Sequence, residues 1–400
     1  MSVEIKIDVT DYSNYNFFRF VNIKIGSRSY VPLFPTINSK VKIREGMVQG
    51  YPEGGFVECY LKITKDQLNE MDSDREKQKK FIEGNFARVY GENLLIIPKI
   101  LLREGETLTE TEMRYLVDIL YFPGNIIHVA PLFYYYDFTE KGKVSIKDPV
   151  NSYKFFQLTE EFLNELRNYS INAVGLMVQP SLSRTDVRNL LNLYRDFSTP
   201  ISIVDFSGRS TIDTYLILQP LLREPESYNL TQKHGENYIL YSFDSKPYSG
   251  RGDIVPAINV LRYDMGFSTF GPRHTNKYNA KDRPKHPLGQ ENEPYVPKIF
   301  YKGHYSYSKP NLDFIKRNFL SWLESNGLEI TDNYEDYVKY VKKYHKDYEY
   351  ENFINSILEM KEAASENGID NLLGNVNEVN NIIKKIKKNN RQLGIGLQNL

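Results

Sequence analysis

The segment Asp205-Phe206-Ser207-Gly208-Arg209-Ser210 closes a short apolar run that begins at Pro200, and an amphipathic stretch follows it. If the run is a strand, alternation puts Ile201, Ile203 and Asp205 on one face, so the carboxylate stands at the strand's C-terminal end. Gly208 would let the backbone approach a ligand closely, and a following helix would offer free N–H groups to an anion. A second run ends in Asp244-Ser245-Lys246. Asp205 and Asp244 on neighbouring strand ends are the residue types for one nucleophile or base and one general acid. The competing reading is that each aspartate only caps its turn, with Arg209 a solvated partner.

Other apolar runs also end in polar or charged residues. The candidate substrate contacts are Lys99, Gln179, Arg209, Lys246, Arg273, His274, Lys302 and His304. Between Arg273 and Lys309 stand eight basic residues against three acidic, interleaved with Tyr278, Tyr295, Tyr301, Tyr305 and Tyr307. Cations beside aromatic rings suit phosphates and stacked bases, although a solvated loop in a Tyr-rich chain would read the same way. His128 sits inside an apolar run, where a core histidine is the usual case, and His234 precedes a strand. No His or Cys spacing marks a zinc site, so no metal and no cofactor are expected. The phosphate-binding GxxxxGK[ST], GxSxG, HExxH and GxGxxG patterns are all missing.

These residues need a scaffold that gathers strand ends at one rim. Eight runs, at about 29–35, 93–99, 125–133, 172–179, 200–205, 237–244, 265–270 and 298–303, alternate with helix-like segments. That rhythm predicts an α/β fold of the (β/α)8 TIM-type barrel class, with chemistry at the C-terminal ends of its strands. Thr107 with Glu110, Thr159 before Glu161, Ser183 with Asp186 and Ser210 with Asp213 are expected helix starts. Residues 36–58 read as a rim hairpin and 60–90 as a charged helix, while 271–297, rich in proline and poor in apolar residues, reads as a long exposed loop. The expected division is an N-terminal β-hairpin over 1–28, the barrel over 29–328, and a C-terminal helical extension and tail over 329–400.

Composition narrows the setting. The 400 residues balance 51 basic against 51 acidic side chains, so no global field draws in nucleic acid or an anionic membrane, and any basic surface is local. A single cysteine, Cys59, excludes an internal disulfide framework and favours a cytoplasmic protein. No apolar run reaches the roughly 18 residues of a membrane span, and the N-terminus lacks the order of a signal peptide. The expected partner is an anionic substrate, nucleic acid included. Oligomeric state is not legible.

The stretch Tyr30-Val31-Pro32-Leu33-Phe34-Pro35-Thr36-Ile37-Asn38-Ser39-Lys40-Val41-Lys42 resembles the opening strand of the tRNA-guanine transglycosylase family. The resemblance covers about a dozen positions, and the family's cysteine-rich zinc site has no counterpart. It implies a transferase that cleaves or exchanges a glycosidic bond of a base-containing substrate, with Asp205 and Asp244 as the paired aspartates and Arg209, Arg273 and Lys302 on phosphate. Two other readings stand beside it: a sugar-phosphate or phosphate-ester enzyme using the same basic rim, and a non-catalytic barrel serving as a binding or assembly module.

Overall fold

In the computed structural model the described residues are 57–86, 94–121, 125–169, 171, 173–209, 239–245, 267–271, 274, 312–328 and 336–341, the strand segments 5–12, 19–25, 28–30, 37–38, 254–256, 299–301 and 306–308, and the single positions 221, 343, 344, 348, 384 and 388.

Three short strands, β1 (Ile5–Tyr12), β2 (Arg19–Ile25) and β3 (Arg28–Tyr30), form an antiparallel sheet of their own. The main sheet starts with β4 (Ile37–Asn38), β5 (Val57–Thr64) and β6 (Leu94–Leu102), and continues with β7 (Asn125–Val129), β8 (Leu132–Phe138) and β9 (Val144–Pro149). Beyond these come β10 (Val174–Val178), β11 (Ile201–Asp205) and β12 (Ile239–Phe243). A separate antiparallel sheet joins β13 (Ile254–Pro256), β15 (Ile299–Tyr301) and β16 (Ser306–Ser308), and β14 (Thr269–Phe270) ends the main sheet.

The main sheet has ten strands and runs β14-β12-β11-β10-β7-β6-β5-β4, with β8 paired parallel to β6 and β9 antiparallel to β8. It is a mixed, mostly parallel α/β sheet. The expected closed eight-stranded barrel is corrected here: the hydrogen-bonded path has two ends, β14 and β4, and no ladder joins them among the described residues. Both expected terminal strands also lie elsewhere. Among the described residues, the run at 29–35 contributes to β3, paired to the N-terminal hairpin, and the run at 298–303 forms β15, antiparallel to β16. In their place the sheet uses β5, which the sequence reading had divided between a rim hairpin and a charged helix. The segment Val57-Glu58-Cys59-Tyr60-Leu61-Lys62-Ile63-Thr64 alternates strictly, but its polar positions include a glutamate and a lysine that masked the period of two.

The sheet is strongly curled. Glu58 of β5 hydrogen-bonds Tyr241 of β12, although four strands lie between them along the path. The opposite face is mostly apolar and carries the helices: Cys59, Leu61 and Ile63 of β5 and Ile96 and Ile100 of β6 are all buried.

The helices begin where a side chain can satisfy their free N–H groups. Thr64 and Gln67 form a reciprocal capping box on α1 (Lys65–Ser73), which α2 (Arg75–Phe86) follows. Thr109 with Glu112 does the same for α3 (Glu110–Leu120), two residues beyond the expected start, and Ser183 with Asp186 for α5 (Arg184–Leu193). Helix α4 (Ser152–Asn168) is capped by Asn151, so Thr159 is a buried mid-helix residue rather than a start. Met113, Leu116, Val117, Ile119 and Leu120 of α3 face the core, each worth about 1.5–3 kcal/mol on burial. Further along, α6 (Leu312–Ser325) packs Phe319, Trp322 and Leu323 against Val341, Tyr344 and Tyr348 as a second, aromatic core.

Candidate functional site

The concave face of the sheet collects ionisable side chains from five of its strands. Lys99, in the middle of β6, is 4% exposed, and its Nζ stands 3.9 Å from Asp205 Oδ2. That is an ion-pair separation, longer than a hydrogen bond. The amine lies 3.8 Å from the ring centre of Tyr134 on β8 and 5.5 Å from that of Tyr60 on β5, a cation–π geometry on two sides. Lys62 is the in-register neighbour of Lys99 on β5, and unlike Lys99 it is exposed, so this part of the face meets solvent.

Asp205, the last residue of β11, is 2% exposed and held on several sides. The Tyr134 hydroxyl donates to its Oδ2 at 2.7 Å, the Ser207 N–H donates to its Oδ1 at 2.7 Å, and the Ser207 hydroxyl lies 2.6 Å from the Tyr134 oxygen. The backbone makes this possible by turning left-handed at once: Ser207 has φ 46° and Gly208 φ 72°. At Ser207 the conformation is unfavourable for a side chain, and the local hydrogen bonds offset it.

A second constellation adjoins the first. Glu58 is wholly buried, hydrogen-bonded to the Tyr241 hydroxyl on one oxygen and to His274 Nε2 on the other. The His274 ring packs against Tyr60, with centroids 4.4 Å apart, and against Phe243 at 5.2 Å. Its backbone N–H donates to Asp244 Oδ1 at 2.7 Å. Asp244 follows β12 in the left-handed region, φ 45°, and its carbonyl accepts the Gly208 N–H at 2.5 Å. The two loops after β11 and β12 are thus tied together.

Burial sets the protonation balance. Desolvation lowers the Lys99 amine, opposed by the negative charges of Asp205 and Asp244, and raises the Asp205 carboxyl, opposed chiefly by Lys99. Both members of the pair are therefore driven toward their neutral forms. Desolvation likewise raises Glu58, with the His274 contact opposing it, and raises the phenols of Tyr60 and Tyr134. An amine and a carboxyl whose charged forms are both disfavoured by burial are the group types that attack a carbon or move a proton.

Among the expected site residues, the structure brings Lys99, Asp205, Asp244 and His274 to this face. Asp205 and Asp244 have different partners, and Asp244 acts on Asp205 through its field, raising that carboxyl. Gln179, wholly buried, donates to Val150 O at 2.9 Å and to Ser181 Oγ at 2.8 Å and accepts the Phe133 N–H, so it ties the ends of β8, β9 and β10. Arg209 is exposed beyond the Ser207 turn. Lys246, Arg273, Lys302 and His304 lie outside the described residues, as does all of 275–297. Glu58, Tyr60, Lys62, Tyr134 and Tyr241 were not anticipated. The alternation of 57–64 would have exposed the first three, and Tyr134 stood in the Tyr134-Tyr135-Tyr136 run without a distinguishing mark. Among the described residues no group of three or more His, Cys, Asp or Glu side chains is placed to hold a metal ion. Nor is any helix there long and apolar enough to cross a membrane.

No protein-family model matches the chain, and no curated protein matches it. Among solved structures, the enoyl reductase domain of MlnA from the macrolactin biosynthesis cluster of Bacillus amyloliquefaciens is similar at 10% identity and a TM-score of 0.27, over 86% of this chain and 97% of that one. At that score the likeness assigns neither fold nor activity. The expected kinship with tRNA-guanine transglycosylases is corrected by these results, and the transglycosylase activity, the transferase class and the paired-aspartate base exchange go with it. Of the segment that carried the resemblance, Tyr30 closes β3 of the N-terminal sheet and Ile37 and Asn38 form the short edge strand β4 of the main one; its other residues lie outside the described residues.

Proposed function

We propose that this chain is an enzyme whose centre is the buried Lys99–Asp205–Tyr134 cluster, working by proton transfer on a small anionic substrate. The observation that carries this reading is the burial of a lysine, two aspartates, a glutamate and two tyrosines at one face of a sheet whose other face is mostly apolar. Ion pairs in such surroundings contribute little net stability, and strongly shifted groups gathered in one place are characteristic of active centres. Asp205 is the acid–base residue, Tyr134 and Ser207 relay or hold its proton, and Glu58 and Asp244 orient His274 in the adjoining cluster. Lys62 supplies the exposed positive charge that meets the substrate's anion, and Arg209 is assigned a supporting contact. The same proposal places the protein in the cytoplasm, where a lone buried Cys59 stays reduced. It divides the chain into residues 1–28, 29–328 and 329–400.

A thermal-shift screen of small carboxylates and phosphates tests this. A ligand at a hundred times its Kd stabilises the folded chain by about 2.7 kcal/mol, enough to raise the melting temperature measurably. The expected result is a stabilising ligand whose effect disappears in Asp205→Asn and in Lys99→Met while both variants remain folded. A ligand shift that both variants keep unchanged would overturn the assignment.

A further inference from the structure

We infer that Lys99 is an amine nucleophile that forms a Schiff base with the carbonyl carbon of a small anionic aldehyde, ketone or oxo acid. The inference rests on the acid–base reading above and names the substrate class of the same site. Three features of the geometry support it. Lys99 projects from the middle of a strand rather than from a loop, so its amine has a fixed position. Its Nζ is 3.9 Å from Asp205, close enough to exchange a proton through small movements or a bridging water, yet not locked into a short hydrogen-bonded pair. The rings of Tyr134 and Tyr60 flank it at 3.8 and 5.5 Å and shield it from bulk water, while exposed Lys62 in the adjacent register position offers a cation for the substrate's carboxylate or phosphate. Desolvation favours the uncharged amine, the form with a lone pair to donate.

The step balances without an added oxidant or reductant. The Nζ lone pair attacks the carbonyl carbon, the carbon–oxygen π pair moves to oxygen, and the proton released by nitrogen reaches that oxygen through Asp205, giving a carbinolamine. Asp205, left protonated by that exchange, then donates to the carbinolamine hydroxyl. This group leaves as water while the nitrogen lone pair forms the C=N bond, giving an iminium ion beside the Asp205 carboxylate. Hydrolysis reverses the sequence and restores the free amine.

The test is reductive trapping on the full chain at neutral pH. The protein is incubated with cyanoborohydride and glyoxylate, pyruvate or, as an uncharged control, propanal, and each lysine's modification is followed by peptide mass spectrometry. The expected result is that Lys99 is labelled at least tenfold faster by an oxo acid than exposed Lys77 or Lys141, that Asp205→Asn slows this labelling tenfold or more, and that propanal loses the preference. Because wild-type chain is mapped directly, the result does not depend on Lys99→Met folding. Labelling confined to exposed lysines, with Lys99 unmodified in folded protein, overturns the inference. If a ligand still stabilises the wild type through Lys99 and Asp205, the nucleophile role alone falls. If no such ligand exists either, the acid–base reading falls with it.

Discussion

The two faces of the main sheet are built from the same strands and obey opposite rules. On β5, Cys59, Leu61 and Ile63 turn toward the helices and are buried among aliphatic neighbours, while Glu58, Tyr60 and Lys62, one residue out of phase, line the concave side. The outer face stabilises the fold, since area removed from water there is apolar and close-packed. The concave face consumes stability: each ionisable group has lost solvation that its neighbours only partly replace. What separates them is a shift of one residue along a strand, so the chain carries a stable scaffold and a chemically tense interior in a single eight-residue segment.

The largest expected departure comes from removing the hub of the tense face. Asp205→Ala leaves the Ser207 N–H, the Tyr134 hydroxyl and the Lys99 amine without their acceptor, and should cost about 3–5 kcal/mol in urea unfolding. Asp205→Asn keeps an acceptor oxygen and should cost distinctly less.

Acid sensitivity offers the next contrast. His128 lies on β7 and stacks in parallel on Tyr121 at the end of α3, ring centres 5.6 Å apart, and burial pushes its pKa down to about 4. The unfolded chain binds that proton more tightly, so the stability His128 contributes is complete above pH 6.5 and is lost as pH falls toward 4, a change of about 3 kcal/mol. Asp205 and Glu58 act in the other direction: their raised carboxyl pKa values favour the folded state below the unfolded values and withdraw that stability as pH rises through the folded ones. Replacing His128 with phenylalanine should flatten the fall between pH 6.5 and 4 in a pH series of denaturant melts. A slope unchanged by that substitution would show that the outer face does not titrate there.

Smaller effects sharpen the same division. A methyl group on Gly271 would collide with Glu58 Oε2 and the Tyr241 hydroxyl, so Gly271→Ala should cost about 1–3 kcal/mol and loosen the Glu58–His274 contact, visible as displaced His274 ring resonances by NMR. On the outer face, Ile63→Val should cost about 1 kcal/mol, measured by the same denaturant melts, and leave ligand-induced stabilisation of the site untouched.

The legibility of the molecule follows this division as well. Apolar periodicity exposed the runs that became β6, β10, β11 and β12, because most of their residues are apolar and turn residues bound them. It failed at β5, whose charged residues point inward, where a reader of sequence takes charge for surface. The open path of the sheet was hidden for a related reason: the runs at 29–35 and 298–303 have strand character, and strand character does not say which sheet a strand joins. Asp205 and Asp244 were legible because they end strands. Glu58 and Tyr134 were not, since their importance comes from partners 216 and 71 residues away in the chain.

Those separations bear on how the protein is made. Glu58 emerges from the ribosome early, while Tyr241 and His274 follow 183 and 216 residues later. A nascent chain halted before β11 exposes an unmatched glutamate on a half-built sheet, and it holds Lys99 without the aspartate that steadies it. Competence for chemistry thus arrives only with the late segments, and prematurely terminated products would carry the first strands and no working centre.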